Sequence, residues 1–381
     1  MFVRISNTPR GYAWGAPGAI SALLGRAATS EPEAELWLGA HPGSPSHIVD
    51  PATVSGAEHL AQWIEVDRLT ALGDADELPF LFKVLAAGAP LSLQVHPDAA
   101  QAAAGWAREN AAGIPLPAPE RSYRDASAKP ELLLALTEFE ALCGFRPAHE
   151  VRAELERLAE LGASINDLLG RLDDPGEAVS WLLSGQAGAL VGEVTAVAAR
   201  HPEQFALVAG LAAAYPGDPG AVIALLLNHV VLQPGQAIFV GAGVIHSYSR
   251  GLGLEVMAPS DNVLRGGLTP KHVDVPELLA VLDARASAVP LLAPDALGPA
   301  ARAWRPEAAG FQLVEVTGDA QLPALGPAIA LCLDGSFGIV GQAATATLTR
   351  GDAVFITPEE GELTLRGEGR VYVAAGSAGG R

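Results

Sequence analysis

Pro234-Gly235-Gln236-Ala237-Ile238-Phe239-Val240-Gly241-Ala242-Gly243-Val244-Ile245-His246 is the stretch that decides the fold of this chain. A Gly-Gln turn feeds a short apolar strand, a second glycine-rich turn reverses the chain, and the returning strand aims His246 inward. The first half is echoed further on by Arg350-Gly351-Asp352-Ala353-Val354-Phe355-Ile356. Two copies of one turn-and-strand unit imply a duplicated β-sandwich. The copies differ where chemistry would sit. Eleven residues after Gly235 comes His246, whereas eleven after Gly351 comes Glu362, with no companion of ligand type. The second copy therefore reads as structural.

Working outward, Met1 to Gly144 is a run of short β-like pieces, turns, glycines and prolines. Pro79 to Val84, Leu91 to Val95 and Glu131 to Leu136 read as strands. Asp98 to Asn110 is alanine-rich and helical, and Gly113 to Glu120 is a proline-rich loop. From Ala148 to Leu227 the apolar residues fall at helical spacing, which marks an inserted helical unit of about 80 residues. The β pattern resumes at Asn228 and runs to Glu255. Pro290 to Arg305, rich in proline and alanine, reads as an interdomain linker, and Phe311 to Ala375 is again short strands and turns. The expected fold is mainly β with a helical insertion: two β-sandwich domains plus an α-helical domain. The expected limits are 1–147 and 228–290 for a discontinuous β domain that carries the candidate chemistry, 148–227 for the helices, and 305–381 for a degenerate second β domain.

With 381 residues, of which 49% are hydrophobic and 18% charged, the chain has core material for two or three domains. No apolar run approaches the roughly 20 residues needed to span a bilayer, and Met1-Phe2-Val3-Arg4-Ile5 is unlike a secretory leader. A net charge of −19 argues against nucleic acid and against anionic membranes as partners. An anionic substrate would need a local basic pocket. Cys143 and Cys332 are too few for a disulfide framework and read as core thiols of a protein in a reducing cytoplasm. A soluble monomer is the default.

The second informative stretch is Ser92-Leu93-Gln94-Val95-His96-Pro97-Asp98. Alternation along a strand puts Ser92, Gln94 and His96 on one face and Leu91, Leu93 and Val95 on the other. Gln94 and His96, with Glu131 in Ala128-Lys129-Pro130-Glu131-Leu132 and His246, make a mixed nitrogen and oxygen set that suits one Zn²⁺ per chain. A further position is left for water or a substrate oxygen. The other histidines, His41, His47, His59, His149, His201, His229 and His272, lack companions at ligand spacing and read as surface or structural. Trp14 and Trp37 read as core or pocket wall.

Gly235-x5-Gly241-x-Gly243-x2-His246 resembles the second motif of cupins, small jelly-roll barrels that hold a metal, with Gly241 in place of the usual proline. The wider set of blocks resembles type I mannose-6-phosphate isomerases. It comprises Tyr12-Ala13-Trp14-Gly15, Glu35-Leu36-Trp37-Leu38-Gly39-Ala40-His41-Pro42 and Leu78-Pro79-Phe80-Leu81-Phe82-Lys83-Val84-Leu85. It continues with Gln94-Val95-His96-Pro97, Lys129-Pro130-Glu131 and Asp261-Asn262-Val263-Leu264-Arg265-Gly266-Gly267-Leu268-Thr269-Pro270-Lys271. The blocks run in the family's order to about Val275, and the C-terminal hundred residues match only in general character.

The resemblance implies that Gln94, His96, Glu131 and His246 bind zinc and that Lys83, Lys129, Glu255, Asp261 and Arg265 line a sugar-phosphate pocket, with Ser92 and Lys271 as further substrate contacts. It implies interconversion of D-mannose 6-phosphate and D-fructose 6-phosphate through a cis-enediol(ate). That chemistry needs a proton moved between C2 and C1, a cation for the oxygens that gain charge, ring opening, and a basic hold on the phosphate. Catalysis would rest on Arg265, Lys83, Glu255 and His96. Burial would lower the Lys83 pKa enough for acid/base work; the alternative is a lysine paired to a carboxylate. His96 would double as ligand and neighbour of the ring-opening proton. Asp98-Ala99, Asp125-Ala126-Ser127-Ala128 and Pro259 depart from the family pattern, the second of them weakening support around Glu131. The alternative function is a metal-containing cupin that binds or senses a sugar phosphate without turnover. An iron dioxygenase, a third possibility, has no use for a Lys/Arg pocket.

Overall fold

The computed structural model describes residues 1–307 and 309–377. Its frame is two antiparallel ten-stranded sheets with a helical unit against one of them. In the first sheet the strands run Leu227–Leu232, Phe139–Phe145, His246–Met257, Glu131–Ala135, Ala237–Val240 and Leu291–Leu292. Glu35–Leu38, Leu81–Ala87, Gln94–Val95 and Leu264–Arg265 join it off that path.

The strand His246–Met257 organises everything that follows. Its first part pairs with Phe139–Phe145, and His246 lies opposite Gln94. From Gly251 on, it pairs with Leu81–Ala87 on one side, and from Gly253 with Glu131–Ala135 on the other. Gly251 makes the change of partners possible. Its φ is +129°, and a Cβ there would stand 2.6 Å from the Glu138 carbonyl oxygen, a position closed to any side chain. One strand thus carries a ligand candidate at its start and Glu255 near its end, both facing the same interior.

The second sheet runs Asp295–Gly298, Ala301–Trp304, Phe311–Val316, Leu363–Gly376, Ala328–Val340, Ala353–Ile356, Phe2–Ser6 and His47–Ile48. Two expectations change here. Pro290 to Arg305 is not a linker but holds strands, of which Ala301–Trp304 buries Ala303 and Trp304 completely. Alanine, proline and glycine carry almost no strand propensity, so the pattern that marks a strand is missing from that stretch. And Phe2–Ser6, placed by sequence in the domain that carries the candidate chemistry, pairs with Ala353–Ile356 of the C-terminal sheet.

The internal echo is geometric as well. Gly235 and Gly351 have φ of +85° and +89°, and the residue after each accepts the backbone N–H three residues back, Gln236 from Gln233 at 2.8 Å and Asp352 from Thr349 at 2.9 Å. Both turns feed strands buried in mid-sheet. Glu362 in the second copy is exposed.

The helical segment holds Ala148–Glu160, Asn166–Leu169, Pro175–Leu183, Gly188–Arg200, Ala206–Ala214 and Gly220–Ile223. Pro175 sits in the first turn and Asp174 caps it by accepting from Glu177 N at 3.0 Å. The buried stripe Leu155, Leu158, Val191, Val194 and Val197 shares one core with Leu93, Val95, Ile245 and Leu264, the residues flanking the site strands. The helices therefore brace the site from outside. Among the described residues, no single helix is long and apolar enough to cross a membrane.

Candidate active site

The strand expected over Leu91 to Val95 is shortened to Gln94–Val95, because Leu91 N and Leu93 N bond singly to Tyr248 O and Gly267 O instead of entering a ladder. Gln94 is nevertheless flanked in register by His246 on one side and Arg265 on the other. His96, fully buried, follows directly.

His96, Glu131 and His246 come together with their ligand atoms within 4.8 Å of one another, the one such group among the described residues. His96 Nδ1 lies 2.8 Å from the Asn262 carbonyl and His246 Nδ1 lies 3.0 Å from the Val244 carbonyl. A carbonyl can only accept, so each Nδ1 carries the hydrogen and each Nε2 is a bare lone pair. The two lone pairs face Glu131, at 3.2 Å from Oε1 and 3.4 Å from Oε2. Buried His96 Nε2 has no hydrogen-bond partner. Three acceptors converge with no hydrogen between them, an arrangement that calls for a cation. Borderline nitrogen and oxygen donors of this kind fit zinc. Burial, with Lys129 adding to it, depresses the His96 pKa to about 4. Burial works against the Glu131 charge, and Lys129 with the two imidazoles outweighs it, so the carboxyl is held well below the usual range. Lys129 Nζ stands 3.1 Å from Glu131 Oε1. Nδ1 is spent on the Asn262 carbonyl, and a metal held at Nε2 would leave His96 no nitrogen for a ring-opening proton.

Asn262, fully buried, is a support the sequence did not reveal. Besides orienting His96, its side chain accepts from Arg124 N at 2.7 Å and donates to the Asp125 and Ser127 carbonyls at 2.9 Å each. The Asp125-Ala126-Ser127-Ala128 segment, expected to support the metal set weakly, is tied to this loop through the Asn262 amide, the Ser260 hydroxyl and Asp261 N. Ser92 lines neither cavity described below; its hydroxyl accepts from Gln94 Nε2 at 3.2 Å.

Lys83 and Glu255 are register partners, with Nζ 2.9 Å from Oε2, and Glu35 Oε1 lies 3.5 Å from the same ammonium. Burial opposes the lysine charge, but Glu255, Glu35 and Glu131 outweigh it and raise the pKa above the ordinary lysine value. This reverses the expected lowering: the paired alternative holds, and Lys83 is a fixed cation. Burial lifts the Glu255 carboxyl above its ordinary value, with Glu131 and Glu35 adding to it against the pull of Lys83.

A cavity of about 50 Å³ is lined by Gln94, Glu131, His246, Tyr248 and Glu255. It shares Glu35, Lys83 and Lys129 with a second cavity of about 410 Å³, in which Arg124, Arg265 and Lys271 also take part. Burial, then Arg124, lowers the Arg265 pKa, and burial, then Arg265 and Arg124, lowers that of Lys271. Three cations pressing on one another in an acidic protein make a site for an anion. Arg124 was missed because nothing around it in sequence has a motif's form. His41, read as structural, lines this cavity, with Nε2 3.5 Å from the half-exposed Asp261 carboxylate. Trp37 forms wall beside it, as expected. A cavity of about 470 Å³ in the C-terminal sheet has only Asp319 and Arg366 as charged lining and no cluster of ligand groups, so its size does not make it the site.

Two β units built on one turn, with a buried His–Glu–His set in the first of them, define a metal-binding cupin protein. Residues 2–148 match the family model of the phosphomannose isomerase type I catalytic domain, and residues 309–375 that of the mannose-6-phosphate isomerase cupin domain. The chain is 37% identical to the mannose-6-phosphate isomerase of Escherichia coli over 97% of this chain and 98% of that one. It is 35% identical to the human mannose-6-phosphate isomerase over 71% and 70% of the respective chains. Its structure superposes on the apo form of the Salmonella typhimurium enzyme with a TM-score of 0.87 at 34% identity, covering 99% of both chains. With a zinc-bound mannose 6-phosphate isomerase the TM-score is 0.88, again at 34% identity and 99% of both. The chain belongs to the type I mannose-6-phosphate isomerase family.

Proposed function

We infer that the protein interconverts D-mannose 6-phosphate and D-fructose 6-phosphate. The observation that carries this reading is the junction of a cation-demanding His–Glu–His set with an anion-demanding Arg–Arg–Lys cavity, both lined by Lys83 and Lys129. Gln94, His96, Glu131 and His246 would hold one Zn²⁺. When bound there it supplies positive charge for the sugar oxygens that gain negative charge.

This chain's own residues supply the rest. Arg124 and Lys271 hold the phosphate. Arg265, opposite Gln94 in register and close enough to Lys271 to depress its pKa, clamps the charge that develops at the transition state. Glu255, with its raised proton affinity, moves the proton between C2 and C1, and Lys83 holds it in place. Asp261 and Lys129 position sugar hydroxyls. The same reading makes the protein a cytoplasmic monomer acting on a free sugar phosphate, with neither nucleic acid nor membrane as partner, and gives the C-terminal β unit a structural part. A non-catalytic sensor would have no need of the buried Lys83–Glu255 pair.

The test is a coupled assay for fructose 6-phosphate formed from mannose 6-phosphate, before and after chelation and with zinc restored. Activity should vanish with the chelator and return with the metal. No turnover by folded, zinc-loaded protein would refute the isomerase reading.

A further inference from the structure

Tyr248 lies on the same strand as His246, two residues on, and is 4% exposed. Its ring is fixed from several sides. Phe139 meets it edge-on with centroids 5.5 Å apart, the His246 ring is 5.8 Å away, and its carbonyl accepts from Leu91 N at 2.8 Å. The hydroxyl meets no partner at hydrogen-bond geometry, although the Glu131 carboxylate lies near it. A tyrosine buried for packing usually finds a partner for its O–H, since an unpaired hydroxyl out of water is destabilising. Phenylalanine would fill the same space without that penalty.

Tyr248 belongs to the lining of the 50 Å³ cavity, with Gln94, Glu131, His246 and Glu255. Other polar groups on this wall are engaged: Gln94 Nε2 with Ser92, Lys83 with Glu255, Lys129 with Glu131. Tyr248 O–H is a neutral donor on this wall without a partner, placed to meet an arriving oxygen.

We propose that Tyr248 is a catalytic hydrogen-bond donor, its hydroxyl meeting the sugar oxygen that becomes negative in the enediolate. The proposal rests on the isomerase reading above. The hydroxyl keeps its proton throughout and stabilises charge by donation alone, as the donors of an oxyanion hole do. Because the bond strengthens as charge develops, the hydroxyl should affect turnover more than ground-state binding.

The experiment is Tyr248→Phe, measured against an active wild type. Zinc content should stay at the wild-type value and the thermal midpoint should hold or rise, because an unpaired buried hydroxyl is removed. The kcat should fall on the order of 10²-fold with KM nearly unchanged. Binding of a phosphorylated five-carbon hydroxamate, which imitates the enediolate, should weaken by a similar factor, while binding of mannitol 1-phosphate, an open-chain polyol that cannot form one, should not. Full kcat in the variant would overturn the proposal. So would loss of zinc or a lowered thermal midpoint, which would make the hydroxyl a support for Glu131. A wild type without turnover would refute the isomerase reading itself, a result separate from either.

Discussion

Asp218, in the helical segment, holds the loop between Arg265 and Lys271, two of the cations that line the larger cavity. Its Oδ1 accepts from Gly220 N at 2.7 Å and Leu268 N at 2.9 Å, and its Oδ2 accepts from Thr269 N at 3.1 Å. Between Arg265 and Lys271 the loop contains Leu268 at φ +55°, a left-handed conformation costing roughly 1–2 kcal/mol for a residue with a side chain. The clamp keeps that conformation in place. In Asp218→Asn one oxygen can still serve Gly220 and Leu268, but the amide nitrogen then faces the Thr269 N–H, donor against donor. Losing one charge-assisted bond and leaving that N–H unpaired costs about 2 kcal/mol. For 381 residues the unfolding entropy is about 0.8 kcal/mol/K, so the thermal midpoint should fall by about 2–3 °C. As the loop relaxes, Arg265 and Lys271 lose their aim, and kcat/KM should drop about tenfold, equivalent to about 1.4 kcal/mol. Zinc content should not change, since Asp218 touches no ligand. Calorimetry and steady-state kinetics on the same preparation decide the matter. A lowered midpoint with unchanged kcat/KM would show that the cations do not depend on this clamp, and an unchanged midpoint would refute the bond count.

Arg124→Gln removes one member of the cation cluster and should raise KM about 10- to 100-fold with kcat little altered, the pattern of a uniform binding contact; a fall in kcat alone would contradict a phosphate-holding role. Lys83→Met strands Glu255 as an unpaired buried charge and should destabilise the fold by about 3–5 kcal/mol, and adding Glu255→Leu should restore most of that stability but no activity. Urea unfolding of both variants reads this directly. Asp352 accepts from Thr349 N at 2.9 Å and Thr349 Oγ1 at 2.8 Å and lies 3.2 Å from Arg4 Nη1. Burial opposes its charge, but these partners win and depress its pKa. A depressed carboxyl contributes stability above its unfolded pKa of about 3.9 and loses it as pH falls through the folded value. Asp352→Asn should therefore cost about 1 kcal/mol at pH 7, with the gap to wild type closing below about pH 4. A constant gap from pH 7 to pH 3 would refute this.

Local pattern determined what could be read from sequence. Gln94 and His96 stood out because alternation needs only neighbouring residues, and His246 because its glycine-rich turn is contiguous. The helical segment was legible from its 3.6-residue spacing. What escaped depends on distant partners. Lys83 sits among Leu81, Phe82 and Val84, which reads as a desolvated base. The carboxylate that fixes it as a cation is 172 residues away. Asn262 supports His96 from 166 residues off, and Asp218 acts on a loop that belongs to another unit. Arg124 and His41 became part of the site only when folding brought two loops to one cavity. The strand Ala301–Trp304 was hidden for another reason, since its alanines pack well in a sheet but announce nothing in sequence.

The exchange of partners along His246–Met257 has a consequence for the order of events in folding. No ligand pair that could capture a metal comes from one hairpin, apart from the adjacent Gln94 and His96. Glu131 reaches the set only when the far half of the long strand has paired, and His246 only when the near half has. Pairings of such long range form late. Zinc capture should therefore be among the last steps of refolding, trailing the collapse of the helical segment, and the metal would act as a latch on a finished sheet, with no part in nucleating it.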